Sequence, residues 1–293
     1  MECLDLLFFL SQKIFYFESM KVTLATTVLK TLFLSLFVML SCDTGKLTVI
    51  ADSPSSLKEI SAIEKTALSN TLWVIQDAGN NNHLYGLNTK GDIIKDISID
   101  NIQNIDWEDL TSDHLGTIYI GDFGNNNKTR KDFTIYKVSN PDKAGTTAKA
   151  EVISFKLPKK MKSQDFESFF LYNGNFYIFS KSDKNCKLFT VPNTIGNHTA
   201  HYISEEKLKG KHTKVTSADI SDDGKTVVLL NHSQLWVLQD FNKTDFFSGS
   251  KKNSEFNHDS QKEGINFINS DTVLITDEKT KNNGGNIYSF SLD

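Results

Sequence analysis

The sequence predicts an all-β fold, a β-propeller of five blades, and three observations predict it. First, a four-residue pattern with an aromatic in one slot recurs five times: Leu84-Tyr85-Gly86-Leu87, Ile135-Tyr136-Lys137-Val138, Leu188-Phe189-Thr190-Val191, Leu235-Trp236-Val237-Leu238 and Ile287-Tyr288-Ser289-Phe290. The aromatics step by 51, 53, 47 and 52 residues, and β-rich units of that period are propeller blades. Second, each repeat holds an unbroken apolar run of strand length, the pattern of a strand covered on both faces. Third, the fifth repeat has no residues left for an outer strand, while Leu47-Thr48-Val49-Ile50 offers one at the other end of the domain. That segment is expected to complete the last blade, closing the ring and covering its open edge. A six-bladed ring is the alternative. The longest interval between acidic slots, Glu108 to Glu167, reads instead as a longer loop over 140–147.

The residues before the first strand read as a targeting segment, 1–42, ahead of a single domain, 43–293. Met20 is the expected true start. Lys21 and Lys30 supply positive charge, and Thr31 to Leu40 forms an apolar core. A core of about ten residues is too short to span roughly 30 Å of hydrocarbon as a helix. Met39-Leu40-Ser41-Cys42 resembles a bacterial lipobox, which implies lipidation of Cys42 and a membrane anchor at the cell envelope, outside the cytoplasm. Once Cys3 is removed and Cys42 lipidated, Cys186 has no partner, so no disulfide framework is expected.

The formal charge of −4 belongs to the domain, because residues 1–42 hold three lysines and three acids. No basic stripe is present, which argues against nucleic-acid binding. Gly-x-Ser-x-Gly, His-Glu-x-x-His and phosphate-loop motifs are all missing.

Each repeat opens on a strand with an acidic slot. The slots are Glu59, Glu108, Glu167, Asp219 (one place out of phase) and Glu263. Turns follow. Asn173-Gly174 and Asp223-Gly224 are the strongest hairpin signals. The apolar second strands are Leu72–Ile75, Ile118–Ile120, Phe176–Phe179, Val227–Leu230 and Val273–Ile275. Third comes the aromatic slot, read as packing between blades. Fourth come outer strands at Ile93–Ile99, Glu151–Leu157 and His201–Ser204.

Inner strands line the central channel of a propeller. Glu59, Glu108, Glu167 and Glu263 are therefore expected at one mouth, and Asp77, Asp122 and Asp277 at the ends of the second strands beside them. Crowded carboxylates without thiol or imidazole suit calcium or magnesium. Trp107, Phe166 and Asn231 are candidate ligand contacts. Arg130 is a candidate anion clamp whose alternative is an ion pair with Asp122 or Glu108.

The run Asn104-Ile105-Asp106-Trp107-Glu108-Asp109, then Ile118-Tyr119-Ile120-Gly121-Asp122-Phe123-Gly124-Asn125-Asn126, Arg130 and Ile135-Tyr136, resembles a signature of secreted bacterial propellers. Glu263-Gly264 with Asp277-Glu278 is similar to blades of the SdiA-regulated and phytase-like propeller groups. The phytase-like resemblance implies calcium and phosphoester chemistry. This chain departs from it, because those propellers usually have six blades and a denser acidic calcium cluster. The expected function is a lipid-anchored binding or scaffold module whose acidic mouth holds a small ligand or a partner's loop. The alternative is a calcium-dependent hydrolase of a phosphoester or lactone.

Overall fold

The computed structural model describes residues 44–281 and 283–292. The segment read from the sequence as a targeting signal, with Cys42, lies outside them. Among the described residues no helix is long and apolar enough to cross a membrane.

Strand β1 (Thr48–Asp52) precedes the ring. The first blade is built from β2 (Ile60–Lys65), β3 (Leu72–Gln76), β4 (His83–Leu87) and β5 (Ile93–Ile99). The second holds β6 (Trp107–Ser112), β7 (Ile118–Asp122) and β8 (Asp132–Val138). The short β9 (Thr147–Ala148) interrupts it before β10 (Glu151–Lys156). The third has β11 (Phe166–Tyr172), β12 (Asn175–Ser180), β13 (Cys186–Pro192) and, past β14 (Gly196–Thr199), β15 (His201–Glu206). The fourth is β16 (Ser217–Ile220), β17 (Val227–Leu230), β18 (Gln234–Gln239) and β19 (Ser250–Glu255). The fifth is β20 (Lys262–Phe267), β21 (Thr272–Asp277) and β22 (Asn286–Ser291), completed by β1 running antiparallel to β22. The inner strands β2, β6, β11, β16 and β20 touch in sequence and return to β2, so the ring has five blades, not six.

Burial follows position in the blade. The second strands are buried almost throughout, while β1 and β19 are mostly exposed. Five apolar cores result, one per seam between blades. Each holds one aromatic of the recurring slot: Tyr136 between the first and second blades, Phe189, Trp236 and Tyr288 at the next three seams, and Tyr85 at the closing one. A buried aromatic removes 150–250 Å² from water, about 4–6 kcal/mol before entropy is counted.

Two features were not anticipated. The stretch read as a long loop contains a 3-10 turn, Pro141–Lys143, and β9, which pairs in parallel with β5 of the preceding blade. Strand β14 likewise pairs in parallel with β10 of the blade before it. These straps tie the first three blades together. At the Asn173-Gly174 turn both residues have positive φ (48° and 74°), the backbone a two-residue type I′ hairpin needs.

Candidate functional site

Four inner strands carry a register shift near their N-terminal ends, between Ile60/Ala62, Trp107/Asp109, Phe166/Ser168 and Lys262/Gly264. A bulge re-aims the extra side chain. The residues at the shifts are Ser61, Glu108, Glu167 and Glu263, and all four line one cavity of about 460 Å³ at this mouth. In the first blade the position belongs to Ser61, not Glu59. Ser61 Oγ donates to the Trp107 carbonyl at 2.9 Å, and Thr216 Oγ1 of the fourth blade donates to the Lys262 carbonyl at 2.7 Å. Two blades thus use this level to bind the next blade, and three present carboxyls. Glu59 stands outside the lining and accepts from Asn80 Nδ2 at 2.9 Å.

The second strands contribute by alternation, since successive side chains point to opposite faces. The residues paired with the start of each inner strand are turned into the blades. Asp122 is fully buried, bonded to Arg130 Nη1 at 2.8 Å and to the Tyr136 hydroxyl. Asp277 is fully buried and accepts the Tyr288 hydroxyl at 2.8 Å and the Asn286 N–H at 2.8 Å. Asn231, also buried, caps its own loop through the Ser233 and Gln234 N–H groups. The mouth is reached one residue later, by Asp77, Lys181 and Glu278. His232, at the same step in the fourth blade, lies 3.0 Å from Glu263 Oε1.

Of the residues singled out in the sequence, Glu108, Glu167, Glu263 and Asp77 come together at the mouth. Asp122, Asp277 and Asn231 do not. Nor do Trp107 and Phe166, which are fully buried between blades, Trp107 against Tyr136 (6.3 Å between ring centres) and Phe166 edge-on to Phe133 (5.1 Å). Arg130 reaches the rim, but its guanidinium is committed to the Asp122 carboxylate, the Asp122 carbonyl (2.9 Å) and the Gly124 carbonyl (3.2 Å). The ion pair with Asp122, the alternative reading of Arg130, is the one observed. Lys181, Glu278 and Asp106 were missed.

Six carboxyls therefore line the cavity: Asp77, Asp106, Glu108, Glu167, Glu263 and Glu278. Lys181 stands among them, ion-paired with Glu167. Burial alone would pull its ammonium down, but Glu167, then Glu263, hold it above the ordinary lysine value. The acids feel the reverse. Burial, then Glu59 and Asp106, pushes Asp77 up to about 6. Burial, then Glu263, Asp77 and Glu59, pushes Glu278 up to about 8. Burial and the Glu167 charge raise Glu108 well above its usual range. The wall at Gly124 is tight: a β-carbon there would fall 2.1 Å from Glu108 Oε1 and 2.3 Å from Asp106 Oδ2.

Below the mouth Asp109 bridges the inner strands. Its carboxyl accepts the Ser217 hydroxyl (2.9 Å) and the N–H groups of Leu110 (3.0 Å), Phe169 (3.0 Å) and Ala218 (3.4 Å).

The raised acids fix a pH dependence. Asp77 and Glu278 bind protons more tightly folded than unfolded. Their contribution to stability is complete below the unfolded values of 3.8 and 4.5, and it is lost as pH rises through about 6 and about 8. The melting temperature should fall across that window, and Glu278→Gln should flatten the upper part of the fall. A flat wild-type profile would contradict the placement of these acids.

The fold and the site define a five-bladed propeller with a carboxyl-lined mouth. The chain belongs to the SdiA-regulated family, whose model matches residues 48–279. Among solved structures it is similar to the PQQ-bound aldose sugar dehydrogenase of Streptomyces coelicolor, at 7% identity over 85% of this chain and 98% of that one, with a TM-score of 0.52. A gluconolactonase of Xanthomonas campestris aligns at 9% identity over 86% and 96% of the two chains, with a TM-score of 0.49. At such identities the likeness is one of fold. No curated protein matches the chain in sequence.

Proposed function

We propose that this protein is a cell-envelope binding propeller, anchored through a lipid on Cys42, whose mouth takes a small cationic ligand. The observation that carries the reading is the imbalance of the cavity: six carboxyls surround Lys181, while the other nearby cation, Arg130, is held by Asp122. Such a cage favours any group that adds positive charge without displacing the Glu167–Lys181 pair.

Calcium has matching donor chemistry, since hard cations take carboxylate oxygens. The arrangement does not match. Among the described residues no group of three or more His, Cys, Asp or Glu side chains is placed to hold a metal ion. An organic amine, which needs hydrogen-bond acceptors and not a coordination shell, fits the spread of carboxyls better.

One observation favours hydrolysis of a lactone or phosphoester as a second reading. Glu278, at about 8, keeps its proton at neutral pH, and Asp77, at about 6, has lost it. Two carboxyls pushed apart in this way can serve as acid and base. Turnover abolished by Glu278→Gln in a correctly folded variant would establish it.

The test of binding is thermal stabilisation by 1,4-diaminobutane, with calcium and magnesium in parallel. A ligand at 100 times its dissociation constant adds about 2.7 kcal/mol. Stabilisation by the diamine should be larger near pH 8.5 than near pH 5, because the acids must give up protons, and should vanish in Glu108→Gln/Glu263→Gln. No shift with any of the three at millimolar concentration would refute the reading.

A further inference from the structure

The outer wall of the ring changes character where its first and fifth blades meet. Strand β1 is the outermost of the fifth blade, and β5 is the fourth strand of the first. The outermost strand of the fourth blade, β19, is as exposed as β1 and is polar throughout, Ser-Lys-Lys-Asn-Ser-Glu, which suits an edge that faces water. Strand β1 and the start of β5 carry aliphatics instead. Val49, Ile50, Ile93 and Ile94 are 41%, 43%, 39% and 54% exposed.

Both strands are bulged at these residues. The register of β1 on β22 shifts between Val49 and Ala51, and that of β5 on β4 shifts at Gly86/Leu87, so Ile50 and Ile94 are the extra residues. A bulge re-aims its extra side chain, and here both are exposed isoleucines. The two strands are also neighbours. The turn leading into β5 packs on β1: a β-carbon on Gly91 would run into the Asp52 carbonyl and lie 3.4 Å from Ala51 Cβ. The strap β9 pairs with Ser98 and Ile99, at the far end of β5, and leaves Ile93 and Ile94 open. Exposed aliphatics grouped in this way mark a surface that meets a partner.

The course of the chain says which partner. The residues leading into β1 are fixed to the domain: the Lys46 N–H donates to the Phe256 carbonyl at 2.7 Å, the Leu47 N–H to the Thr44 carbonyl at 3.1 Å, and Thr44 Oγ1 to the Leu47 carbonyl at 2.8 Å. Cys42 stands two residues ahead of Thr44, a reach of at most about 7 Å. The headgroup layer of a bilayer is itself about 5–7 Å deep. A lipid on Cys42 therefore cannot hold the domain clear of the membrane, and the wall beside β1 has to meet it. We propose that Val49, Ile50, Ile93 and Ile94 form a membrane-contact face that rests in the bilayer surface. The proposal rests on the lipid anchor of the proposed function. Lys46, exposed just before β1, supplies a cation for the lipid phosphates. The consequence is orientation. Outer strands form the circumference of a propeller, so a ring lying on this wall has its axis along the membrane plane, and the Lys181 mouth opens sideways into water.

The test uses the full lipidated chain in phosphatidylcholine vesicles, with a polarity-sensitive dye on one introduced cysteine: Ile50→Cys, Ile94→Cys or, as control, Ile195→Cys. Cys186 is buried and stays unlabelled. Ile195 is exposed on the third blade, across the ring from the seam of the first and fifth. Lipids carrying a shallow nitroxide should quench the dye at 50 and 94 several-fold more than at 195. Ile50→Glu should release the quenching at 94 while the protein stays on the vesicles and keeps its melting temperature. Equal quenching at the three positions of vesicle-bound protein, or quenching at 94 indifferent to Ile50→Glu, would overturn the face and leave the anchor standing. Protein that does not float with the vesicles and whose Cys42 takes the dye would refute the anchor and the face together. Shielding at 50 and 94 that grows with protein concentration in detergent, without vesicles, would assign the wall to a second copy and overturn the proposal equally.

Discussion

Replacing Asp109 by alanine is expected to lower the unfolding free energy by about 3–5 kcal/mol, because several buried donors lose their acceptor at once and each one left unpaired costs about 1–3 kcal/mol. The loss has a definite structural source. Four donors from the second, third and fourth blades converge on this carboxyl, and Asp109 is fully buried, so water cannot replace it. For a domain of this size the melting temperature should drop by about 10 °C or more. Asp109→Asn keeps one acceptor oxygen but turns an amide donor toward the others, so an intermediate loss is expected. Denaturant titration measures both. A loss under about 1 kcal/mol for the alanine variant would mean that Asp109 does not hold the inner strands together.

Arg130→Met should cost a similar amount, about 3–5 kcal/mol, for a related reason. Asp122 has no solvent exposure, and without the guanidinium it keeps only the Tyr136 hydroxyl and the Ile105 N–H, 3.3 Å away. Asp122→Asn in the same chain removes the orphaned charge and should recover part of the loss. The double-mutant cycle separates pairing from burial. Because Arg130 is bound to the blade and does not reach freely into the cavity, the folded fraction of Arg130→Met should keep its response to the diamine. Loss of that response in folded protein would return Arg130 to the mouth.

The ring was legible because its signal is periodic. Tyr85, Tyr136, Phe189, Trp236 and Tyr288 must each fill one seam, so their spacing counts blades directly, and Leu47–Ile50 was recognisable as the missing outer strand. The site was legible only in part, for a reason of phase. Glu108, Glu167 and Glu263 lie at bulges, and the first blade places Ser61 there, so counting back from the aromatic picked Glu59 two residues early. The second strands show the opposite error. Asp122 and Asp277 look like Asp77, yet they stand one residue before it in structural register, and one residue decides between blade interior and mouth. Lys181 follows Ser180 directly and Glu278 follows Asp277. The residue after each strand end was the signal that could have found them. Trp107 and Phe166 were expected beside a ligand because they flank acids, but alternation sends flanking residues into the seams.

The strap that closes the ring also sets a clock. Strand β1 precedes every other strand of the domain, and its partner β22 is the last of them. At about 5–20 residues per second, roughly 10–50 s separate the synthesis of the two. The earlier blades can pack while the chain is still being made, but β1 must wait with its ladder groups unmet. During that interval the β22 of a neighbouring copy would serve it equally well, residue for residue. Refolding at high concentration should therefore yield dimers in which β1 has been exchanged, and dilution before the last blade forms should suppress them.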